Sequence, residues 1–355
     1  MIKKLLLLYI LTSVCSVYSQ QAYYNTIDFS KSGISLKNDL STLIINTHTN
    51  FLTYTPDVWE ASKITDVNPE NNAEVLLIYG YSTSGTTSRT RGVNENGGNN
   101  GDWNREHTYP RSLGNPNLGS SGAGSDAHHL RPSDVEYNGQ RGSKKFVDGS
   151  GNSGDRNGGW FPGDEWKGDI ARMMMYMYLR YDSQCLPSVV GVGSNNNTPD
   201  DMIDLFLKWN AEDPVSQIED NRNTYHGNSS NTYAQGNRNP FIDNPFLATK
   251  IWGNPPSGTQ QAEDRWGTLS TPNFGLETVG VYPNPTSTGT VTLTIPNEIH
   301  IDDIVVYSVI GKKVYDYKNQ KNNSTTIKIT DLKKGIYLLR ITSNQKTITK
   351  KIVVQ

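Results

Sequence analysis

Six histidines occur in the chain, and three of them, His107, His128 and His129, fall between residues 107 and 129. Around them run Asn104-Arg105-Glu106-His107, then Ser125-Asp126-Ala127-His128-His129-Leu130-Arg131-Pro132, then Val135-Glu136-Tyr137-Asn138-Gly139-Gln140-Arg141-Gly142. Carboxylate, imidazole, amide and guanidinium groups recur in a stretch of low aliphatic content, so burial alone does not account for them. Several chemistries are excluded. There is no Gly-x-Ser-x-Gly elbow, no phosphate loop and no Cys-rich zinc pattern, and Cys185 in Arg180-Tyr181-Asp182-Ser183-Gln184-Cys185 has no evident base beside it. His128 and His129 are adjacent, so they point different ways, unlike a zinc pair one helical turn apart. One carboxylate plus one amide oxygen suits a hard cation that keeps most of its waters, such as Mg²⁺. A neutral imidazole can activate water, and arginines can hold phosphate oxygens bidentately. Together these groups fit metal-assisted hydrolysis of a phosphodiester.

The elements that must position these groups can be read from pattern. Ser35–Thr47 carries Leu36, Leu40, Leu43 and Ile44 at helical spacing, and Ala73–Tyr79 is a short apolar strand. Ser82–Gly101 is a polar loop. A helix is expected over Asp164–Tyr181, with Ile170, Met173, Met174, Met177 and Tyr178 as core, and a second over Asp201–Trp209. Gln235–Pro245 is irregular and Asn-rich. Around the histidines we expect a strand carrying His107, an excursion through Leu113–Gly124, a strand near His129–Leu130, and a helix bearing Asn138. Glu106 and His107 are neighbours, so in an ideal strand they face opposite sides and meet at one site only at a strand end or a bulge.

These residues resemble the bacterial endonuclease I family, secreted or periplasmic nucleases with a ββα-metal active site related to the HNH nucleases. The similarity runs through Asn104-Arg105-Glu106-His107 with Pro110, Asp126-x-His128-His129-Leu130-x-Pro132 and Asn138-x-x-Arg141. It continues through Lys167–Arg172, Leu207–Asn210 with Asp213-Pro214-Val215, and Gln235–Phe241. The resemblance implies that His107 is the general base and that Glu106 and Asn138 are metal ligands for Mg²⁺, with Mn²⁺ or Ca²⁺ as substitutes. His129 falls where the central Asn of an HNH motif sits and would position the base, with Asp126 and His128 in support. Arg141 or Arg131 would contact phosphate, and Arg172 faces substrate or forms a structural ion pair. The implied function is a secreted, metal-dependent, non-specific endonuclease acting on DNA and/or RNA. The alternatives are an extracellular ribonuclease with the same site and a catalytically inert surface binding protein.

At 355 residues the chain has room for two or three domains. Residues 1–20 read as a cleaved secretory signal, with Lys3 and Lys4 before a largely apolar run. Residues 21–253 form the catalytic domain, an α+β fold. Residues 254–276 are a linker rich in Pro, Gly, Ser and Thr. Residues 277–355 alternate in short β-branched runs that predict an all-β, immunoglobulin-like sandwich. This last part resembles the sorting domain of proteins exported by type IX secretion, through Val281-Tyr282-Pro283-Asn284-Pro285, Gly311-Lys312-Lys313-Val314, Gly335-Ile336-Tyr337 and Lys350–Val354. The resemblance implies the secretion machinery as a partner and an extracellular or cell-surface location. Past the signal no window offers the roughly 20 apolar residues of a membrane span, and a monomer is expected.

The formal charge of -2 hides an asymmetry: residues 278–355 carry 11 Lys+Arg against 5 Asp+Glu, while residues 21–277 are strongly acidic. Residues 105–180 nearly balance, at 10 basic against 9 acidic groups, which excludes a broad basic binder. Contact with phosphate must come from individual arginines and the metal.

Overall fold

The computed structural model describes residues 22–266, 279–295, 301–309, 311–318, 326–343 and 346–355. The expected signal segment and residues 267–276 of the expected linker lie outside them. The described residues form two compact units that part between 266 and 279.

The first unit is mixed α+β. Helices α1 (Gly33–Thr47) and α2 (Asp57–Thr65) lead into a small antiparallel sheet of β1 (Val67–Asn68), β2 (Asn71–Leu76) and β3 (Thr90–Gly92). Strands β4 (Trp103–His107) and β5 (Leu130–Asp134) pair antiparallel, and α3 (Val135–Arg141) follows β5 without a break. A short hairpin, β6 (Gly154–Arg156) and β7 (Gly159–Phe161), precedes α4 (Lys167–Tyr181). Helices α5 (Asp204–Glu212), α6 (Gln217–His226) and α7 (Phe246–Trp252) complete the unit.

Helix α4 is the centre. Every residue from Gly168 to Leu179 is buried, because the helix is covered on all sides. The Met173–Met177 run supplies flexible, polarizable side chains that fill the gaps between its neighbours. Helix α1 lays Leu36, Leu40 and Ile44 on the same core at one-turn intervals. The helix expected from Asp164 begins instead at Lys167, because the side chains just before it serve tertiary bonds: Asp164 accepts from the Gly151 N–H (2.6 Å), and Trp166 donates to the Gly80 carbonyl (3.1 Å). The helix expected from Asp201 begins at Asp204, with Asp201 held by the Ser188 N–H and hydroxyl. Helix α6 starts in a capping box, Ser216 with Glu219, which satisfies two of its free N–H groups.

The interior is unusually polar. Gln235, Asn237, Asn239 and Asn244 of the Asn-rich segment are fully buried and hydrogen-bonded. Residues 254–266, expected as the start of a linker, lie against this unit: Arg265 pairs with Asp220 (2.7 Å) and Trp266 packs on Tyr24 and Phe29.

The second unit is all-β. One antiparallel sheet has the order β11–β10–β13–β14 (Lys313–Lys318, Asp303–Ser308, Gly335–Ser343, Lys346–Val354). The other has the order β12–β9–β8 (Thr326–Ile329, Val291–Thr294, Gly280–Tyr282). Alternate residues of both, among them Leu293, Val306, Ile329, Leu339 and Ile352, form one apolar core that shares no residue with the first unit's. Two separate cores predict two separate unfolding units. A chain ended at residue 276 should keep the cooperative thermal transition of the first unit. Loss of that transition in calorimetry would show that the cores depend on each other.

Candidate active site

The β4–β5 ladder pairs His107 with Leu130 and Glu106 with Arg131, with no register shift. There is no bulge, so the two neighbouring side chains leave the strand on opposite sides. His107 is the last residue of β4. Just beyond it, the Thr108 hydroxyl donates to the His129 carbonyl (2.8 Å) and stops the strand.

His107 lies against the Tyr54 ring (centroids 5.3 Å apart, 29° between planes), and the Arg105 guanidinium covers the same ring at 3.6 Å. Its Nε2 is 3.0 Å from the Gly124 carbonyl. A carbonyl only accepts, so Nε2 carries the proton and Nδ1 keeps its lone pair. Gly124 can serve because it has no side chain: a Cβ there would run into the Gly119 carbonyl. Burial, then the His129 ring, push the His107 pKa down to about 3, so the imidazole is neutral near neutral pH.

His129 is fully buried and hydrogen-bonded through Nε2 to the Ala123 carbonyl (2.8 Å), its ring 5.5 Å from that of His107. It ties the 122–125 turn to β5 and lies beside the His107 ring. His128 points the other way, onto Tyr176 and His226. Asp126 accepts hydrogen bonds from the Tyr176 and Tyr181 hydroxyls, the His128 N–H and the Gln235 amide, which locks the turn in place.

On the other side of β4, Glu106 is buried. Its Oε1 accepts from the Tyr79 hydroxyl (3.0 Å) and faces Arg141 (3.2 Å), while Oε2 has no hydrogen bond. Desolvation pushes its pKa up to about 7, against the pull of Arg141. Asn104, two residues back on the same face, accepts from the Asn138 amide (2.7 Å), which leaves Asn138 Oδ1 unused. Asn138 is placed by the start of α3, where Asp134 caps the Glu136 and Tyr137 N–H groups and is itself held by Arg91. A desolvated carboxylate with a free oxygen and an amide with a free oxygen are donors of the kind a hard divalent cation takes. Among the described residues no cluster of three or more His, Cys, Asp or Glu side chains converges on a metal-sized gap.

Two expectations are corrected. Arg131 is fully buried and pairs with Asp66 (2.6 Å) and Asp169 (2.9 Å). Arg141 is also buried and donates to the His107 and Thr108 carbonyls as it faces Glu106. Neither guanidinium presents a free edge to a phosphate; the first fastens β5 to the interior and the second fastens the end of β4. Arg172, left open, is a structural ion pair with Glu219 (2.6 and 2.7 Å). Sequence reading missed Tyr54, whose partners are fifty residues away, and Arg111. Arg111 is exposed, uses only Nε (to the Leu118 carbonyl, 3.0 Å), and adds to the positive field that depresses His107. Its position just after Pro110 was the available signal.

The model of the family described as Endonuclease I matches residues 32–246, more than half of the chain. The chain belongs to the endonuclease I family. Within the endonuclease I family it is similar to the extracellular ribonuclease of Bacillus amyloliquefaciens, 39% identical over 242 residues, covering 65% of this chain and 78% of that protein. It is equally similar to the extracellular ribonuclease of Bacillus subtilis (strain 168), 39% identical over 240 residues with the same coverage. A model described as Secretion system C-terminal sorting domain matches residues 280–355. A shorter similarity, 31% over 88 residues, joins 24% of the chain to 16% of the ulvan lyase NLR42 of Nonlabens ulvanivorans. This endonuclease I relative is a secreted nuclease, and no helix among its described residues is long and apolar enough to cross a membrane.

Burial holds His128 and His129 at pKa values of about 4, below the ordinary 6.5. Each stabilises the fold fully above pH 6.5 and loses that contribution as acid charges the unfolded chain between pH 6.5 and 4, about 3 kcal/mol per ring. The raised Glu106 carboxyl works in the opposite sense between pH 4.5 and 7 and offsets part of this. In an NMR titration of the folded protein, neither ring should titrate with a midpoint above pH 5.5; a midpoint near 6.5 would show that they are not sealed.

Proposed function

We propose that β4, β5 and α3 work as a ββα-metal site of the HNH kind and that the protein is a metal-dependent, non-specific endonuclease. The observation that carries this reading is the His107–Gly124 bond, which sets one imidazole tautomer and leaves Nδ1 as a proton acceptor at the open end of a strand. Glu106 Oε2 and Asn138 Oδ1 would hold Mg²⁺, with Mn²⁺ or Ca²⁺ as substitutes. When bound, the cation supplies charge stabilisation at the phosphate and at the leaving 3′ oxygen.

The chain's own residues do the rest. His107 Nδ1 takes a proton from the attacking water; its low basicity rises when a phosphate anion enters, because a nearby negative charge favours imidazolium. Tyr79 and Arg141 keep Glu106 from turning away. Arg111 binds a non-bridging phosphate oxygen through its free guanidinium nitrogens, the role first expected of Arg131 or Arg141. These groups address the backbone of a nucleic acid and not the edges of its bases, so sequence preference is small. RNA is favoured as a substrate by the similarity to two proteins named extracellular ribonucleases; DNA is accepted by the same backbone contacts. An oriented, neutral His107 argues against an inert binding protein. The all-β second unit acts as an immunoglobulin-like address read by the secretion machinery, and the enzyme works as a monomer.

His107→Ala should lower cleavage of supercoiled plasmid and of RNA by about 10²–10⁴-fold, the range of a lost general base. EDTA should abolish both activities. Undiminished activity in EDTA would remove the metal from the reading. Arg111→Ala, an exposed change that leaves the melting temperature in place, should slow cleavage at least tenfold, whereas an unchanged rate would return the phosphate contact to another group.

A further inference from the structure

Phe51 is the most exposed large hydrophobic side chain among the described residues, at 71%. The chain around it is not slack. The Thr49 and Asn50 N–H groups both donate to the Gln235 carbonyl (3.0 Å), and the Asn50 amide donates to the Ser229 and Ala234 carbonyls. The ring is braced: His48 lies parallel to it, with centroids 4.8 Å apart and 17° between planes, and His48 is itself buried. A rigid loop therefore holds a flat aromatic ring out into water, with one face backed and the rest open.

The same loop is tied to the site. Three residues on, Tyr54 lies against His107. Leu52 packs with Ala127 and Leu130 at the start of β5. Gln235, which holds Thr49 and Asn50 through its carbonyl, uses its side chain on the Ala127 N–H (2.5 Å) and on Asp126 (3.1 Å). Asp126 closes the turn whose Gly124 carbonyl orients the base. Phe51 and His107 thus share one frame. Three residues of extended chain span at most about 10 Å, so the Phe51 backbone lies within that distance of the backbone of Tyr54, whose ring meets His107.

A flat, braced, exposed ring beside a phosphodiester site matches the face of a nucleobase. In a duplex those faces are already stacked on neighbouring bases. From this we infer that Phe51, backed by His48, is the stacking platform for an unpaired base flanking the scissile phosphate, and that the enzyme takes single strands in preference to duplex. The inference rests on the reading of His107 as the centre of cleavage.

The test uses the full chain and a short oligonucleotide carrying 2-aminopurine, as RNA and as DNA, alone and annealed to its complement. The wild type should cleave the single strand with the lower KM. Phe51→Ala should raise that KM about tenfold, as loss of one base–aromatic stack does, and should raise KM for the duplex much less, while Phe51→Trp should keep the wild-type preference. In the His107→Ala background, binding should quench 2-aminopurine fluorescence, and adding Phe51→Ala should remove the quench. An unchanged single-strand KM in Phe51→Ala, an equal rise for single strand and duplex, or a quench that persists would overturn the platform. If His107→Ala cleaves as fast as wild type, the site reading fails instead. Since Phe51 is exposed, its replacement leaves the core intact.

Discussion

Arg131 carries a full positive charge into the interior of the first unit, and two carboxylates from distant parts of the chain meet it there. Asp66 comes from the end of α2 and Asp169 from the first turn of α4. Arg222 of α6 joins the same Asp66 and also donates to the Ala127 and Leu130 carbonyls. Three charged groups from elsewhere in the chain, Asp66, Asp169 and Arg222, therefore converge on Arg131 of β5, all of them buried. Removing one partner from such a set strands a charge in low dielectric, a cost of about 3–5 kcal/mol, comparable with much of the net stability of a domain. β5 can consequently sit in only one place, and β4, paired to it in fixed register, must end where it does.

From that constraint the site follows. β4 presents Glu106 to one side and His107, its last residue, to the other, with no bulge between them. Arg141 secures the end by binding two successive carbonyls, so its charge stabilises backbone and the Glu106 carboxylate at once. The turn at 122–125 is set by Asp126, which is saturated with hydrogen bonds. That turn fixes the tautomer of His107, which is a chemical property, through nothing more than the position of a carbonyl. A polar interior of amides, tyrosines and ion pairs does here what an apolar core does elsewhere, with the added result that each side chain has one permitted orientation.

The sequence by itself determined a good deal. The histidine-centred motifs, their order and the resemblance they carry identified the family, and alternation after residue 279 predicted an all-β unit. The Met run of α4 and the Leu36–Ile44 stripe were legible because apolar periodicity reports burial directly. The start of α4 was less so, because Asp164 and Trp166 spend their polar atoms on partners far away in sequence. What only the tertiary structure decided was the task of each charged residue. Arg131, Arg141, Arg172 and Arg111 look alike in sequence, and each is equally able to bind a phosphate or a buried carboxylate. The choice depends on whether an acidic partner arrives from elsewhere in the chain, as Asp66, Asp169, Glu106 and Glu219 do for the first three. Tyr54 was silent for the same reason: an aromatic side chain states its hydrophobicity locally, but the His107 ring it faces is brought to it from fifty residues away; Phe51 was silent because the loop that holds it out is tied down by Gln235.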